Sequence, residues 1–235
     1  MSAVHSERIG AVARLTIDDG KANALSAELI DALDSSLVEA RAAGAKAVVL
    51  RGRPGRFSAG FDLKVMRSGP DAAVALVAHG ARFLMDLLLF PLPVVGACTG
   101  HAIAAGALTL AACDRRIGVR GETAIGLNEI AAGMPVPIFA HELARARLDP
   151  RALTDAVLTS RLYPPEEAAA VGWRDRVVDS LEALDREASA EAERLAELPG
   201  GPFAQTKRSL RGPLVEHVRA TLEANLAEFG IGGAS

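Results

Sequence analysis

The chain has 235 residues, of which 50% are hydrophobic and 4% aromatic. With 26 basic and 29 acidic side chains its formal net charge is -3, so nothing global attracts nucleic acid or an anionic membrane. We expect a soluble α/β protein with a sizeable core, and neither a nucleic-acid nor a membrane partner.

The start of the chain and its cysteine usage predict a cytoplasmic location. "MSAVHSERIG" lacks a basic segment followed by an apolar run, so we expect no signal peptide. The two cysteines, Cys98 and Cys113, indicate no disulfide framework and are typical of a reducing cytosol. The longest apolar stretch, 92–112, contains Pro93 and Gly100, which favour two buried elements over a membrane helix.

In chain order, predicted strands alternate with predicted helices. A strand over 9–17 precedes a helix that starts after Ser26, a good N-cap, and runs to about Ala43. There follow a strand at "AKAVVLRG", a loop at "RPGRFSAGFDLKVM", a helix over 71–89, a strand at "PLPVVGACTG", a helix at "AIAAGALTLAACD" and a strand at "RRIGVR". This order predicts right-handed crossovers and a largely parallel sheet.

The pattern changes at about Asp149. From there the segments are helical in pattern, and only "RDRVVD" is typical of a strand. We therefore predict a sheet-containing core over 1–148 and a mostly helical region over 149–235.

Two segments rich in small residues could hold an anion. Ala59 and Gly60 follow a buried strand, where they would let a ligand approach backbone N–H groups. A helix is expected to begin near Ala104 or Ala105, and its first turn would also carry unpaired N–H groups. Each segment alone is equally compatible with an ordinary turn or with a helix packed tightly on a sheet.

Glu129 is the acid most in need of an explanation, because it lies between "IGLN" and "IAAG". A carboxylate among apolar groups is costly unless it is paired, hydrogen-bonded or protonated. No His, Cys or acid adjoins it at a metal-ligand spacing, so we expect no metal site. His101 is a lone histidine of the kind that is more often structural than a base. One carboxylate beside two backbone donors suits proton transfer next to a carbonyl.

Three segments resemble, in order and spacing, the crotonase (enoyl-CoA hydratase/isomerase) superfamily. They are "FSAGFDLKVM", "PVVGACTGHAIAAGALTLAACDRRI" and "IGLNEIAAGM", and "NALSAELIDAL", "SRLYPPEEAAAVGWRDRVV" and "AQTKRSL" are also similar. The resemblance implies a core of repeated ββα units with a helical C-terminal extension, over 149–235, that helps build a homotrimer or hexamer. It implies an acyl-CoA thioester as substrate, with coenzyme A as part of that substrate and no separate cofactor. Most members continue with one further C-terminal helix, which we expect this chain to lack after "LEANLAEFGIGGAS".

The resemblance also assigns roles to residues. It implies an oxyanion hole made by the backbone N–H groups of Ala59 and Ala105, and Glu129 as the catalytic acid-base. Leu108 stands where hydratases usually carry a first glutamate. The chain is most similar to the mitochondrial-type Δ3,Δ2-enoyl-CoA isomerases, which also carry Leu at that position and "IGLNE" around the acid.

The remaining substrate contacts follow from the same motif positions. The implied substrate-binding residues are Ala22, Ala24, Ala59, Gly60, Phe61, Asp62, Leu63, Gly106 and Leu108. Basic residues near these segments could meet the coenzyme A phosphates, namely Lys21, Lys64, Arg67 and Lys207. Phe61, Met66 and Phe83 could line the acyl channel, although apolar residues at such spacing are more often core.

The first functional hypothesis is an isomerase of fatty acid metabolism, active in β-oxidation, that shifts a 3-enoyl-CoA to a 2-enoyl-CoA. A hydratase or another acyl-CoA lyase with an unusual second acid is the first alternative. The second is a non-catalytic acyl-CoA-binding protein built on the same fold.

Overall fold

A computed structural model of the protein describes residues 3–228. Its strands are β1 (Val4–Ile9), β2 (Val12–Ile17), β3 (Ala47–Gly52), β4 (Gly55–Ser58), β5 (Val94–Cys98), β6 (Gly100–Ile103), β7 (Arg115–Val119), β8 (Ile125–Gly126) and β9 (Arg176–Val178). Its α-helices are α1 (Ala27–Ala42), α2 (Leu63–Met66), α3 (Pro70–Leu88), α4 (Ala105–Ala112), α5 (Ile138–Arg147), α6 (Pro165–Val171), α7 (Leu181–Ala196) and α8 (Gly200–Glu228). Within 3–228 no helix is long and apolar enough to cross a bilayer.

Two sheets carry the fold. A six-stranded sheet has the order β1-β2-β3-β5-β7-β9, with β1 antiparallel to β2 and every other pair parallel. A smaller sheet, β4-β6-β8, is parallel throughout. Each of its strands follows a strand of the larger sheet and precedes a helix, which is the repeated ββα arrangement that the resemblance implied.

Glycine lets the chain step from the larger sheet to the smaller one. A Cβ added at Gly100 would overlap the Gly55 carbonyl group, so that β4 and β6 could not lie as close as they do. Helix α4 is buried along its whole length against this smaller sheet. The result is a layer of small residues that brings the ends of β4 and β6 together beside the start of α4.

The larger sheet is covered on both faces. The main core contains α1, α3 and α4, with side chains such as Leu33, Leu84 and Leu110 packed against one face. On the other face, Ala188 and Ala192 of α7 pack in a second apolar cluster with strand residues. Both the α7 contact and β9, which extends the sheet, come from the part after residue 149. The proposed domain division at that residue stays a prediction.

Several predicted elements differ from the observed ones. The strand predicted over 9–17 contains the last residue of β1, a turn and all of β2, because Gly10 adopts φ +58° and turns the chain. The predicted loop around residues 53–66 contains β4 and α2, and the first two residues of the predicted helix, Ala102 and Ile103, belong to β6. "DPRALTDAVLTS" forms a 3₁₀ turn, Pro150–Ala152, and a π-helix, Thr154–Leu158, instead of an α-helix.

Candidate active site

A cavity of about 230 Å³ lies between the ends of β4, β6 and β8 and helices α2, α3 and α5. Its wall is mostly apolar, and the polar side chains on it are Arg67, Asn128 and Glu129. The other lining residues are Ala59, Phe61, Leu63, Met66, Val77, Ala104, Leu108, Ala132, Met134, Pro135, Pro137 and Phe139. The acid singled out from the sequence therefore faces a partly open, largely apolar cavity.

Glu129 is held by its backbone, whereas one oxygen of its carboxyl group has no partner. Its carbonyl oxygen accepts hydrogen bonds from the N–H groups of Ala132 at 3.0 Å and Met134 at 2.8 Å, which close a tight turn. The carboxyl Oε2 is buried and makes no hydrogen bond. Burial raises the pKa of Glu129, and the main-chain N–H groups of Glu129 and Asn128 lower it partway back. A carboxylate with a raised pKa accepts a proton more readily, as a general base must.

Among the residues that the structure describes, the wall beside Glu129 contains no second acid. Leu108, which is 1% exposed, lines the cavity from the second turn of α4. Ile125 and Leu127, on the strand and loop that lead to Glu129, are fully buried behind it. These side chains supply the apolar surroundings that disfavour the ionised carboxylate.

The start of α4 leaves amide groups without helical acceptors. Ala104 adopts φ 51° and ψ −124°, which turns the chain from β6 into the helix, and its N–H donates to the Gly126 carbonyl at 2.9 Å. Ala105 is the first residue of α4, so its N–H is among those that no residue of the helix can accept. The partial positive charge of this helix end favours a negative charge nearby.

Gly106 fixes the start of α4 against β4. A Cβ there would overlap the Ser58 carbonyl oxygen and lie 2.9 Å from its carbon, so only glycine allows this approach. The ideal Cβ position of Gly60 is likewise 3.3 Å from the Ala105 nitrogen. These two contacts bring the predicted oxyanion-hole segments, around Ala59 and Ala105, side by side.

The two predicted donors differ in their present partners. The Ala59 N–H donates to the Ala22 carbonyl oxygen at 3.1 Å, whereas hydrogen bonds of the described residues give the Ala105 N–H no acceptor. A ligand oxygen would therefore meet Ala105 directly and would have to share or displace the Ala22 carbonyl at Ala59. The role of both amides as an oxyanion hole stays a prediction.

Comparisons with known proteins place this geometry in a family. The family model described as enoyl-CoA hydratase/isomerase matches residues 7–231. The chain belongs to the enoyl-CoA hydratase/isomerase family. A putative enoyl-CoA hydratase of Thermus thermophilus is 34% identical over 198 residues, which are 82% of this chain and 77% of that protein.

Solved structures agree with the family assignment. An enoyl-CoA hydratase/isomerase family protein from Pseudomonas syringae is 38% identical, with a TM-score of 0.93 and coverage of 97% of this chain and 98% of that one. Human mitochondrial Δ3-Δ2-enoyl-CoA isomerase is 28% identical, with a TM-score of 0.92 and coverage of 97% and 90%. The chain is thus similar both to a protein named a hydratase and to one named an isomerase.

The substrate-binding residues expected from the family motifs are divided between two cavities. Ala59, Phe61, Leu63 and Leu108 line the cavity of Glu129. A second, more open cavity of about 570 Å³ is lined by other members of the predicted set and by two lysines, namely Ala22, Ala24, Asp62, Lys21 and Lys64. Gly60, Ala105 and Gly106 are not in either wall and lie behind the first.

One segment forms the partition between these cavities. Leu25 donates its N–H to the Gly60 carbonyl at 2.8 Å and accepts from the Asp62 N–H at 3.1 Å, which fixes Phe61 opposite Leu25. The Asp62 carboxylate caps α2 by accepting from the Lys64 N–H at 2.8 Å. A ligand with a small reactive end and a larger anionic end would suit this pair of cavities.

Three other sequence expectations have clear outcomes. His101 is outside the Glu129 cavity, and its Nδ1 accepts from the Ala124 N–H at 3.1 Å; burial, with help from Arg56 and Arg174, lowers its pKa. Phe83 is 4% exposed in the core and does not line the cavity. The prediction that Lys207 could meet a coenzyme A phosphate is wrong, because its ammonium group is buried and paired with the Asp114 carboxylate.

The sequence did not indicate several residues of the cavity wall. Val77 was hidden in the apolar face of α3, and Met134 and Phe139 follow Glu129 in a stretch with no periodic pattern. The prolines at 135 and 137, which follow Glu129 within eight residues, were the available signal that this stretch turns back across the pocket.

Ser160 anchors the turn that carries Glu129 from a distant part of the chain. Its hydroxyl oxygen accepts from the Ala131 N–H at 3.1 Å, while its own backbone adopts φ 55°, a conformation that favours glycine. We expect Ser160→Gly to leave the melting temperature nearly unchanged, because backbone relief offsets a hydrogen bond of about 1 kcal/mol.

The kcat of Ser160→Gly should nevertheless fall by roughly 3- to 10-fold. Without the hydrogen bond from Ala131 to Ser160, worth about 1 kcal/mol, the turn holds Glu129 less firmly. Calorimetry and steady-state kinetics on the same preparation check both quantities. Thr159→Gly, at the preceding residue, is the control for added flexibility. An unchanged kcat in Ser160→Gly would show that the turn does not need this anchor.

Proposed function

We propose that this protein is an enoyl-CoA isomerase that converts a 3-enoyl-CoA into a 2-enoyl-CoA with Glu129 as its single proton carrier. The observation that carries the proposal is the buried, unpartnered Oε2 of Glu129 in a cavity whose described wall holds no other carboxyl group. Double-bond migration needs one group that removes a proton and returns it, and this reaction consumes no water.

The chemistry follows from that arrangement. The Glu129 carboxylate removes a proton from C2, the C2–H electrons form a C1–C2 double bond, and the thioester oxygen takes the negative charge. The Ala105 N–H, and the Ala59 N–H once it turns from Ala22, donate to this oxygen. When the dienolate collapses, the thioester carbonyl re-forms, the C1–C2 π electrons become the C2–C3 double bond, and the C3–C4 π electrons take the proton from Glu129 at C4.

The sizes of such contributions in studied enzymes support these roles for the two amides and for the carboxylate. Oxyanion-hole donors in studied enzymes contribute about 3–4 kcal/mol each, and a positioned general base contributes roughly 10²- to 10⁴-fold in rate. A raised pKa brings the pKa of Glu129 closer to that of the substrate C2–H group, which favours the first proton transfer.

The family supports an acyl-CoA ester as the substrate. The second cavity, with Lys21 and Lys64 on its wall, is where we propose that the anionic end of coenzyme A lies. No separate cofactor is needed for the proposed reaction. Assembly into a homotrimer or hexamer and a cytoplasmic location are proposals from the family resemblance.

Hydration of a 2-enoyl-CoA is the competing function, and the name of the Thermus thermophilus relative favours it. A water molecule must be positioned as well as deprotonated, for which hydratases use a second acid where this chain has Leu108. We expect purified protein to convert 3-hexenoyl-CoA to 2-hexenoyl-CoA, followed by the rise in thioester conjugation absorbance, faster than it hydrates 2-hexenoyl-CoA. Faster hydration would reverse the assignment, and binding of both esters without turnover would indicate a non-catalytic binder.

A further inference from the structure

Gly80 occupies a position where glycine is unfavourable. It lies inside α3, a helix of 19 residues, and a glycine in a helix interior is about 1 kcal/mol less favourable than alanine. Its backbone is not among the positive-φ glycines of the described chain, so it adopts a conformation open to any residue. Its reason must lie in what packs against it.

The ring of Phe61 fills the space where a side chain at position 80 would be. A Cβ added to Gly80 would overlap Cε1 of Phe61 and lie 2.5 Å from Cζ. Phe61 is also part of the Glu129 cavity wall, and so is Val77, which is one turn earlier on α3. Because Gly80 has no side chain, it leaves a notch in the surface of α3. The Phe61 ring occupies this notch and therefore extends less far into the cavity.

We propose that the Gly80 notch determines which acyl chains the enzyme accepts, by setting how far Phe61 stands from the acyl part of the cavity. The inference rests on the proposed function and deepens it, because it assigns an apolar acyl tail of limited length to the substrate. A cavity of about 230 Å³ is below the roughly 300–1,000 Å³ typical of sites for drug-sized ligands. The tail therefore meets the Phe61 wall after few carbons.

The ring, and not its backbone, is the part free to move. Hydrogen bonds from Leu25 to Gly60 and from Asp62 to Leu25 hold the chain on both sides of Phe61. Gly60 is also packed within 2.9 Å, measured from its ideal Cβ position, of the Ile103 carbonyl oxygen. A methyl group at position 80 would therefore push the ring by about 1 Å or more, to reach ordinary contact distance, into the open side, which is the cavity.

The test is the chain-length dependence of kcat/KM for Gly80→Ala on 3-butenoyl-, 3-hexenoyl-, 3-octenoyl- and 3-decenoyl-CoA. We expect 3-butenoyl-CoA to change by less than about 2-fold, and the longest accepted ester to lose roughly 10- to 200-fold for each methylene that no longer fits. Gly212→Ala is the matched control: it also replaces a helix-interior glycine, in α8, where an added Cβ meets no atom within 4 Å. This control should keep the wild-type profile.

Phe61→Leu in the wild-type background tests the same wall in the opposite direction and places no new bulk in the core. It should shift the preference to longer esters, and in Gly80→Ala it should restore the esters that variant has lost. A wild-type profile in both Gly80→Ala and Phe61→Leu, or the same loss in Gly212→Ala, would overturn the proposal.

Calorimetric binding of the corresponding saturated acyl-CoA esters separates this inference from the proposed function. If no ester is isomerised but the length profile of Kd shifts in Gly80→Ala, the notch is upheld and the isomerase assignment fails. If isomerisation occurs and neither kcat/KM nor Kd changes its length profile, the isomerase assignment is upheld and the notch fails.

Discussion

We expect Glu129→Gln to reduce the proposed double-bond migration by at least about 100-fold, and up to about 10⁴-fold, because an amide cannot take the C2 proton. Glutamine has nearly the same shape, so the Kd of a saturated acyl-CoA ester should stay within a few-fold of the wild-type value. Single-turnover conversion of 3-hexenoyl-CoA, with binding measured by calorimetry, checks both expectations. Glu122→Gln is the control, since Glu122 is an exposed acid on the connection from β7 to β8, just before the strand that leads to Glu129.

The pH dependence of the two proteins should differ in a specific direction. In the proposed mechanism the carboxylate form is the active base, so wild-type kcat/KM should rise with pH through a pKa above the ordinary value for glutamate. The residual rate of Glu129→Gln should lack this rise. A wild-type profile that is flat from acid to neutral pH would contradict a proton transfer by Glu129.

The free energy of unfolding should fall with rising pH as Glu129 ionises, whereas kcat/KM should rise. Because burial raises the pKa of Glu129 in the folded protein, that state binds more protons than the unfolded chain between the unfolded and folded pKa values. The stability of the wild type therefore falls as pH rises through this window. Glu129→Gln should be more stable than the wild type at neutral pH, and the difference should disappear below the ordinary pKa of a glutamate. Urea unfolding at several pH values measures it.

The sequence indicated the acid through local chemistry. Glu129 was conspicuous as one charge in an apolar and turn-rich stretch, and burial of its carboxyl group fits that reading. Ala59, Ala105 and Leu108 came only from motif positions of the resembling family, because small apolar residues have no chemistry of their own to reveal a role. These residues lie near one another because β4 and the start of α4 pack closely, which the absence of a side chain at Gly106 permits.

Elements with a clear hydrophobic period or a strong cap could be predicted, whereas Ala-rich and short ones could not. The stripe of Leu29, Leu33 and Leu37 after the Ser26 cap predicted α1 with nearly the observed bounds. "AIAAGAL" is apolar at every position, so nothing in its pattern separates the end of β6 from the start of α4.

Contacts between distant parts of the chain could not be predicted from the sequence. Ser160 and Ala131 are 29 residues apart, and Gly80, in the middle of α3, meets Phe61, which precedes that helix. In both cases the informative feature is a residue that breaks a local rule, a serine at positive φ or a glycine within a helix. Its reason appears only once the folded neighbours are known.

Lys207 likewise takes its meaning from tertiary structure. Its Nζ is 2.7 Å from Asp114 Oδ2 and donates to the carbonyl oxygens of Phe90 at 2.8 Å and Leu92 at 3.2 Å. Asp114 Oδ1 is 2.8 Å from Arg211 Nη1, and its Oδ2 also accepts from the Val94 N–H at 2.8 Å. One carboxylate thus joins α8 to the end of α4 and the start of β5. Burial lowers the pKa of Lys207, and the Asp114 charge raises it partway back.

Asp114→Asn should cost about 3–5 kcal/mol of unfolding free energy, because it leaves the buried Lys207 ammonium and the Arg211 guanidinium without a counter-charge. Lys207→Met should cost less, since Asp114 keeps Arg211 and the Val94 N–H while the methionine fills the space of the lysine stem. Glu166→Gln is the control: it breaks an exposed pair with Arg120, with side chains 52% and 56% exposed, and should change stability by less than about 1 kcal/mol.

Urea unfolding followed by circular dichroism measures these differences, and the order distinguishes two kinds of tether. If charge compensation holds α8 in place, Asp114→Asn is the most destabilised variant. An equal or greater loss in Lys207→Met would mean instead that the hydrogen bonds from its ammonium to Phe90 and Leu92 matter more than the ion pair. A loss of under 1 kcal/mol in both variants would show that α8 is retained by its apolar contacts alone, through Val215, Val218 and Leu222. The carboxylate at the end of α4 would then have no part in holding the last helix on the core.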